Sequence, residues 1–372
     1  MQSYDVIVLG AGINGCGVAE RLARDGKQVL LLDKGGVGSG TSSKSSRLIH
    51  GGLRYLETGQ LHLVHESLRD RKRLVEKYPD LVEYRRFILP IYKSSPRPAW
   101  MIRLGLWMYD QLSGSRSAGK SRKENVNSFR ERFPAFIEDD LRSVLSYVDA
   151  KTHDQELTRR VADDFQDLGG SVIVHCDIDE ISRDSTYFTL TSSAGSFRAP
   201  ILINATGPWI DEVNETFHFP ANFQLRKVSG IHLIFDGLVV PDLMFMQTRE
   251  KRIFFIIPEP EANQTLIGTT ERDEHETMDL LKAQEADIQY LLKQINAYLK
   301  SEHQFQREDV RDIYIGVRPL VRKKGSMSDV SREYKLDLHT QGKTRLLHIF
   351  GGKLTTYLSL AEKVSKVLNR DT

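Results

Sequence analysis

Apolar and polar positions change period cleanly over the first thirty residues. Positions 4–9 (YDVIVL) form a short apolar run of the kind buried on both faces in a parallel sheet. From 15 to 25 apolar side chains recur at helical spacing through Val18, Leu22 and Ala23; Gly26 stops the helix, and 29–32 (VLLL) reads as a second buried strand. Strand, helix and strand in that order make a βαβ unit. The same reading predicts helices over 61–77, 98–112, 153–168, 278–299 and 355–368. It predicts strands over 84–92, 172–181, 187–190, 201–204, 224–235, 253–257, 265–268, 313–317 and 346–350. Between 113 and 127 the chain is aperiodic and rich in Gly, Ser, Lys and Arg, which marks an exposed loop.

Composition narrows the picture. With 372 residues, 40% hydrophobic and 27% charged, the chain suits about two globular domains. A net charge of +2, from 52 basic and 50 acidic residues, provides no general attraction for nucleic acid or an acidic partner. The two cysteines, Cys16 among small helical residues and Cys176 in an apolar run, are expected to be reduced and buried, which implies a cytosolic setting. The N-terminal MQSYDVIVLGAG has no basic n-region, and its apolar run is too short for a signal peptide. No segment reaches the ~20 apolar residues of a membrane span, so membrane contact is expected to be peripheral.

The first candidate chemistry lies in the strand-to-helix turn, Gly10-Ala11-Gly12-Ile13-Asn14-Gly15. Gly10 permits the tight turn, Gly12 lets the backbone approach a pyrophosphate, and Gly15 allows the helix to pack closely on the strand. The positive helix end then faces the phosphates. Asp33 closes the second strand, where a carboxylate accepts hydrogen bonds from an adenosine ribose. A Ser/Thr/Gly-rich loop follows Asp33 at once, in place of another crossover, which favours FAD over NAD.

Residues 40–57, GTSSKSSRLIHGGLRYLE, resemble the corresponding segment of FAD-dependent glycerol-3-phosphate dehydrogenases of the aerobic, quinone-linked type. The likeness recurs in RPAWMIR (97–103), NATGPW (204–209), IGTT (267–270), GVRPL (316–320) and FGGKLTTY (350–357). It implies a Rossmann-type FAD-binding domain of the D-amino-acid-oxidase-like kind with an inserted mixed-sheet α+β substrate domain. The expected division gives 1–78, 147–212 and 343–372 to the FAD-binding domain, and 79–146 and 213–342 to the substrate domain. Larger family members continue into a further C-terminal helical domain beyond the point matching Thr372.

The resemblance also implies roles for residues. Flavin contacts are expected at Gly10, Gly12, Asn14, Gly15, Asp33, Lys34, Thr41, Ser42, Ser43, Ser45, Ser46, Leu48, His50, Gly51 and Gly52. Further contacts are expected at Ala205, Gly207, Gly316, Gly352, Lys353, Leu354 and Thr355. Arg54, Tyr55, Thr270 and Arg318 are expected at the substrate, the two guanidiniums forking onto a phosphate dianion. The implied reaction is oxidation of sn-glycerol 3-phosphate to dihydroxyacetone phosphate, with hydride passing to flavin N5 and electrons to a quinone. Removing the hydroxyl proton needs a base. His232 is the favoured candidate and His50, expected at the flavin, the second; Lys353 is expected to hold developing negative charge. Three positions depart from the family pattern: Asp33 replaces a usual Glu, Leu358 a common Arg, and Ala11 a common Gly.

Two alternatives stand beside this reading. One is an oxidase of the same fold passing electrons from glycerol 3-phosphate, a 2-hydroxy acid or an amine to O2; the other is a flavin-free binding protein. Between 93 and 132 nine basic residues face three acidic ones, beside the apolar Trp100 and Trp107. That combination suits either an anionic bilayer surface or a core helix beside a solvated loop.

Overall fold

Val6–Leu9 is buried along its whole length and pairs in parallel with Val29–Leu32 on one side and Ile201–Asn204 on the other. In the computed structural model these strands centre a six-stranded sheet, continued by Ser171–Ile173 beyond 29–32 and by Thr344–Phe350 and Lys335–Gln341 beyond 201–204. All pairings are parallel except that of the last two strands. The structure describes residues 1–57, 59–114, 119–323, 330, 331 and 333–369, without the side chains of 54, 279, 330 and 331.

Strand periodicity explains how this sheet is covered. Side chains alternate across it, so Val6 and Val8 join the core made with the helices Ile13–Arg24, Asp154–Asp167 and Tyr357–Asn369, while Ile7 and Leu9 face the other way. There they meet Phe188, Leu190 and Phe197 of a four-stranded sheet. Each such buried side chain contributes about 1.5–3 kcal/mol. Gly17 lets two of the helices touch, since a Cβ there would stand 2.4 Å from the Tyr357 ring.

The second body is an eleven-stranded mixed sheet whose central path pairs Val310–Lys323, Phe223–Asp236, Gln264–Gly268, Ile253–Glu259, Leu243–Gln247, Val82–Tyr92 and Leu141–Thr152 in order. Helices Glu285–Asn296 and Val126–Arg132 cover one face, and Leu61–Lys77 with Ala99–Ser113 cover the other. Leu48–Ile49 joins this sheet by pairing with 150 and 151, so the hydroxyl-rich loop runs from one body to the other.

Several sequence expectations change. The single strand over 172–181 is two, Ser171–Ile173 and Ile178–Arg183, in different sheets; His175 between them has φ of +52°. The helix over 278–299 begins only at Glu285, where the inward positions Ile288, Leu291, Leu292 and Ile295 take up helical spacing. Within the presumed loop, Arg122–Glu124 is a short strand, and residues 115–118, including the basic Arg116, lie outside the described residues. Lys335–Gln341, assigned from sequence to the inserted segment, pairs into the flavin-side sheet. Leu141–Thr152 escaped prediction altogether, because Ser143, Ser146 and Asp149 are buried along with its apolar residues and no alternation shows. The two cysteines are free and buried, and no helix among the described residues is long and apolar enough to cross a membrane.

Candidate active site

The glycine-rich turn has the geometry its spacing predicts. Gly10 has φ of +100°, and a Cβ on it would stand 2.6 Å from the Ala205 carbonyl oxygen. A Cβ on Gly15 would stand 1.8 Å from the Gly10 carbonyl oxygen, so only glycine lets this helix meet its strand. Gly12 starts the helix without a side-chain cap, and Ser42 Oγ accepts from the Ile13 amide at 3.0 Å. The Asp33 carboxylate accepts from the Ala11 amide at 2.6 Å and the Gly35 amide at 2.7 Å, tying the turn to the following loop. Each of its oxygens retains a further lone pair for a ribose hydroxyl.

This turn opens into a cavity of about 1060 Å³. Gly10, Gly12, Asn14, Asp33, Lys34, Thr41, Ser42, Ser45, Ser46, Leu48 and His50 line it. So do Tyr55, Ala205, Gly207, His232, Gly316, Arg318, Gly352, Lys353, Leu354 and Thr355. Arg54 begins the short helix Arg54–Glu57, and its side chain lies outside the described residues.

Five expected residues stand back from the wall. Gly15 sits behind the turn; Ser43 Oγ donates to the Gly40 carbonyl at 3.0 Å. A Cβ on Gly51 would stand 2.4 Å from Tyr109 Oη, and one on Gly52 would stand 2.3 Å from the Tyr55 ring, so both glycines serve packing. Thr270 is buried, with Oγ1 accepting from the Ile231 amide of the neighbouring strand Phe223–Asp236 at 3.1 Å. These residues shape the cavity from behind.

At the reacting end the loop and the second sheet are bound together. Thr41 Oγ1 donates to the Val317 carbonyl at 3.2 Å, and a Cβ on Gly316 would stand 2.3 Å from the Lys44 carbonyl oxygen. Arg318 Nη1 donates to the Thr270 carbonyl at 3.2 Å, and Lys353 Nζ lies 4.2 Å above the Tyr55 ring. His232 Nε2 lies 2.8 Å from Ser46 Oγ while its ring stacks on Tyr314 at 4.8 Å. Burial first, then the charges of Arg318 and Arg47, push His232 down to about 3. His50 is also lowered, chiefly by desolvation; Asp149 acts in the opposite sense, and Lys353 and Arg318 add to the lowering. Both imidazoles are therefore neutral at pH 7.

Sequence reasoning missed Asp149 and Tyr147, which also line the cavity. Asp149 is 1% exposed, and its Oδ1 accepts from Arg71 Nη1 at 2.5 Å and from Tyr109 Oη at 2.6 Å. Those partners lie 78 and 40 positions away, so no local pattern announces the cluster. Arg97, in the RPAW block, was equally illegible: it pairs with Glu57 and donates to the Lys251 carbonyl at 3.1 Å, clamping the helix that carries Arg54 and Tyr55.

A positive helix end at a glycine turn offers a pyrophosphate its seat, and Asn14 Oδ1 is buried with no partner among the described residues. A Cβ on Gly352 would stand 2.2 Å from Asn14 Nδ2, so that turn must also remain bare. These features fit the pyrophosphate of FAD and define a dinucleotide-binding site of the kind flavin-dependent oxidoreductases carry.

Comparison with known proteins agrees. Residues 5–358 match the family described as FAD dependent oxidoreductase. The chain is 35% identical to D-erythritol 1-phosphate dehydrogenase of Brucella abortus, covering 97% of this chain and 73% of that one. It is 35% identical to aerobic glycerol-3-phosphate dehydrogenase of Escherichia coli, covering 97% of this chain and 72% of that one. The FAD-complexed glycerol-3-phosphate dehydrogenase structure from Bacillus halodurans superposes with a TM-score of 0.77 at 22% identity, over 99% of this chain and 65% of that one. The chain thus belongs to the FAD-dependent glycerol-3-phosphate dehydrogenase family; it is an enzyme, and FAD is its cofactor.

Proposed function

We propose that the protein oxidises sn-glycerol 3-phosphate to dihydroxyacetone phosphate and that a quinone takes the electrons. The observation that carries this reading is a single cavity lined both by the nucleotide turn and by Arg318, Lys353, Tyr55 and His50. A planar guanidinium at Arg318, with a second expected from Arg54, suits a phosphate dianion. FAD, when bound, supplies the hydride acceptor for C2. Lys353 steadies negative charge growing on the C2 oxygen. The hydroxyl proton goes to His50 rather than to His232, the first choice from sequence alone. His232 already engages Ser46 through Nε2, and a group held near 3 is a weak acceptor at neutral pH. His50 lines the same cavity beside an opposing carboxylate.

The quinone reading draws support from the helix Ala99–Ser113, where Ile102, Leu106 and Tyr109 face the core while Trp100, Met101, Leu104 and Trp107 remain exposed. Exposed Arg103 lies on the same helix, and exposed Lys120, Arg122 and Lys123 follow it in the chain. Aromatic side chains beside basic ones suit the surface of an anionic bilayer, where a lipid quinone resides.

Anaerobic titration of the flavin absorbance tests the substrate. Bleaching by glycerol 3-phosphate at far lower concentration than by D-erythritol 1-phosphate is expected, and the reverse order would move the assignment to the longer polyol phosphate. Stoichiometric hydrogen peroxide in air, with no quinone reduction, would replace the dehydrogenase reading by an oxidase.

A further inference from the structure

The turn that carries His50 rests on a buried charged cluster. Gly51 N–H donates to Tyr109 Oη at 2.8 Å and to Asp149 Oδ1 at 3.3 Å, while the Tyr109 hydroxyl donates to the same carboxylate. Arg71, fully buried, completes the cluster: Nη1 reaches the Asp149 carboxylate and the Val148 carbonyl at 3.0 Å, and Nη2 reaches Ser113 Oγ at 3.1 Å. A buried ion pair stabilises a fold no better than well-packed apolar residues of similar volume. Stability therefore does not account for placing this one against the cavity. Asp149 itself lines the cavity with His50, and the charges that act on His50 are Asp149 on one side and Lys353 and Arg318 on the other.

We propose that Asp149, held by Arg71 and Tyr109, is a positioning residue: it fixes the His50 turn and, as the anion acting on His50, supports the positive charge that His50 acquires on taking the substrate's hydroxyl proton. The inference rests on the assignment of His50 as the base. Geometry and charge act together here. The absence of room for a Cβ at Gly51 seats the turn directly on Tyr109, whose hydroxyl donates to the Asp149 carboxylate. Without that anion, two cations and desolvation would leave His50 a poorer proton acceptor. Arg71 ion-pairs with Asp149 at 2.5 Å but is not among the residues lining the cavity, whereas Asp149 is.

The test is the pH profile of anaerobic flavin reduction by glycerol 3-phosphate in the FAD-loaded enzyme, read from about pH 5 to about pH 9. Wild type should show a limb falling toward acid, and His50→Asn should lose it. Asp149→Asn should move that limb acidward by about one pH unit, a tenfold loss of proton affinity, with a lower plateau rate. Asp149→Glu, which keeps the charge, should leave the limb in place. A merely structural role would lower the plateau and leave the limb where it was. If Asp149→Asn strands the Arg71 charge and the protein loses flavin, the pair Arg71→Met with Asp149→Asn removes both charges and is read in the same way. A limb that persists in His50→Asn overturns the base assignment and this proposal with it. A limb lost in His50→Asn but unmoved by removing the Asp149 charge overturns this proposal alone.

Discussion

Asn14 donates from Nδ2 to the carbonyl of Gly351 at 3.2 Å, joining the first helix to the turn that presents Lys353. One bond thus links the pyrophosphate seat to the reacting end of the cavity. Gly351 and Gly352 both have positive φ, +79° and +102°. A side chain at 352 would meet the Asn14 amide head-on.

Gly352→Ala should therefore displace Asn14 and twist the turn while leaving the core intact. We expect the variant to purify folded but with little flavin, by absorbance near the flavin band against circular dichroism. Gly15→Ala, which would set a methyl group on a backbone oxygen, should instead fail to yield folded protein.

Arg318→Ala should cost about 1.5–3 kcal/mol of substrate binding if its guanidinium holds the phosphate. That is roughly a ten- to hundredfold rise in KM. The rise should be far smaller for a neutral alcohol lacking phosphate. Equal KM values for wild type and variant would remove Arg318 from the substrate site.

His232 and His348 are both buried with proton affinities pushed down, to about 3 and about 4, burial being the first cause in each. In the unfolded chain these histidines protonate near pH 6.5. Their contribution to stability is thus complete above that value and is lost as the pH falls from about 6.5 toward 4, where the unfolded state binds protons the native state refuses. Replacing His232 by Gln should reduce the acid-side slope of unfolding free energy by about 1.4 kcal/mol per pH unit. Denaturant titrations at several pH values measure it, and an unchanged slope would contradict the neutral imidazole.

Trp100 and Trp107 are 66% and 58% exposed on one side of their helix. Changing both to Ser should leave flavin reduction by glycerol 3-phosphate unchanged while weakening co-sedimentation with anionic vesicles. Binding to neutral vesicles should be weak for wild type as well, because the basic residues beside the helix require anionic headgroups. Equal sedimentation of variant and wild type would rule out this face as the membrane contact.

Local chemistry made the first body legible. The apolar runs at 6–9 and 29–32, the glycines at 10, 12 and 15, and the hydroxyl loop after Asp33 each occupy a few adjacent residues, and each has one physical reading there. The turn, its helix and the part of the cavity lining between Leu9 and His50 follow from them. Tertiary structure alone decided which hydroxyls face inward: Ser42 and Ser46 line the cavity, while Ser43 turns back to Gly40. It also separated the two histidines, since only packing shows that His232 is pinned between Ser46 and Tyr314 whereas His50 stands beside Asp149. The strand Leu141–Thr152 and its Asp149 could not be read in advance, because a buried carboxylate is stabilised by partners from distant parts of the chain. Periodicity reports what neighbours along the chain share; the field around an ionisable group depends on what folding brings beside it.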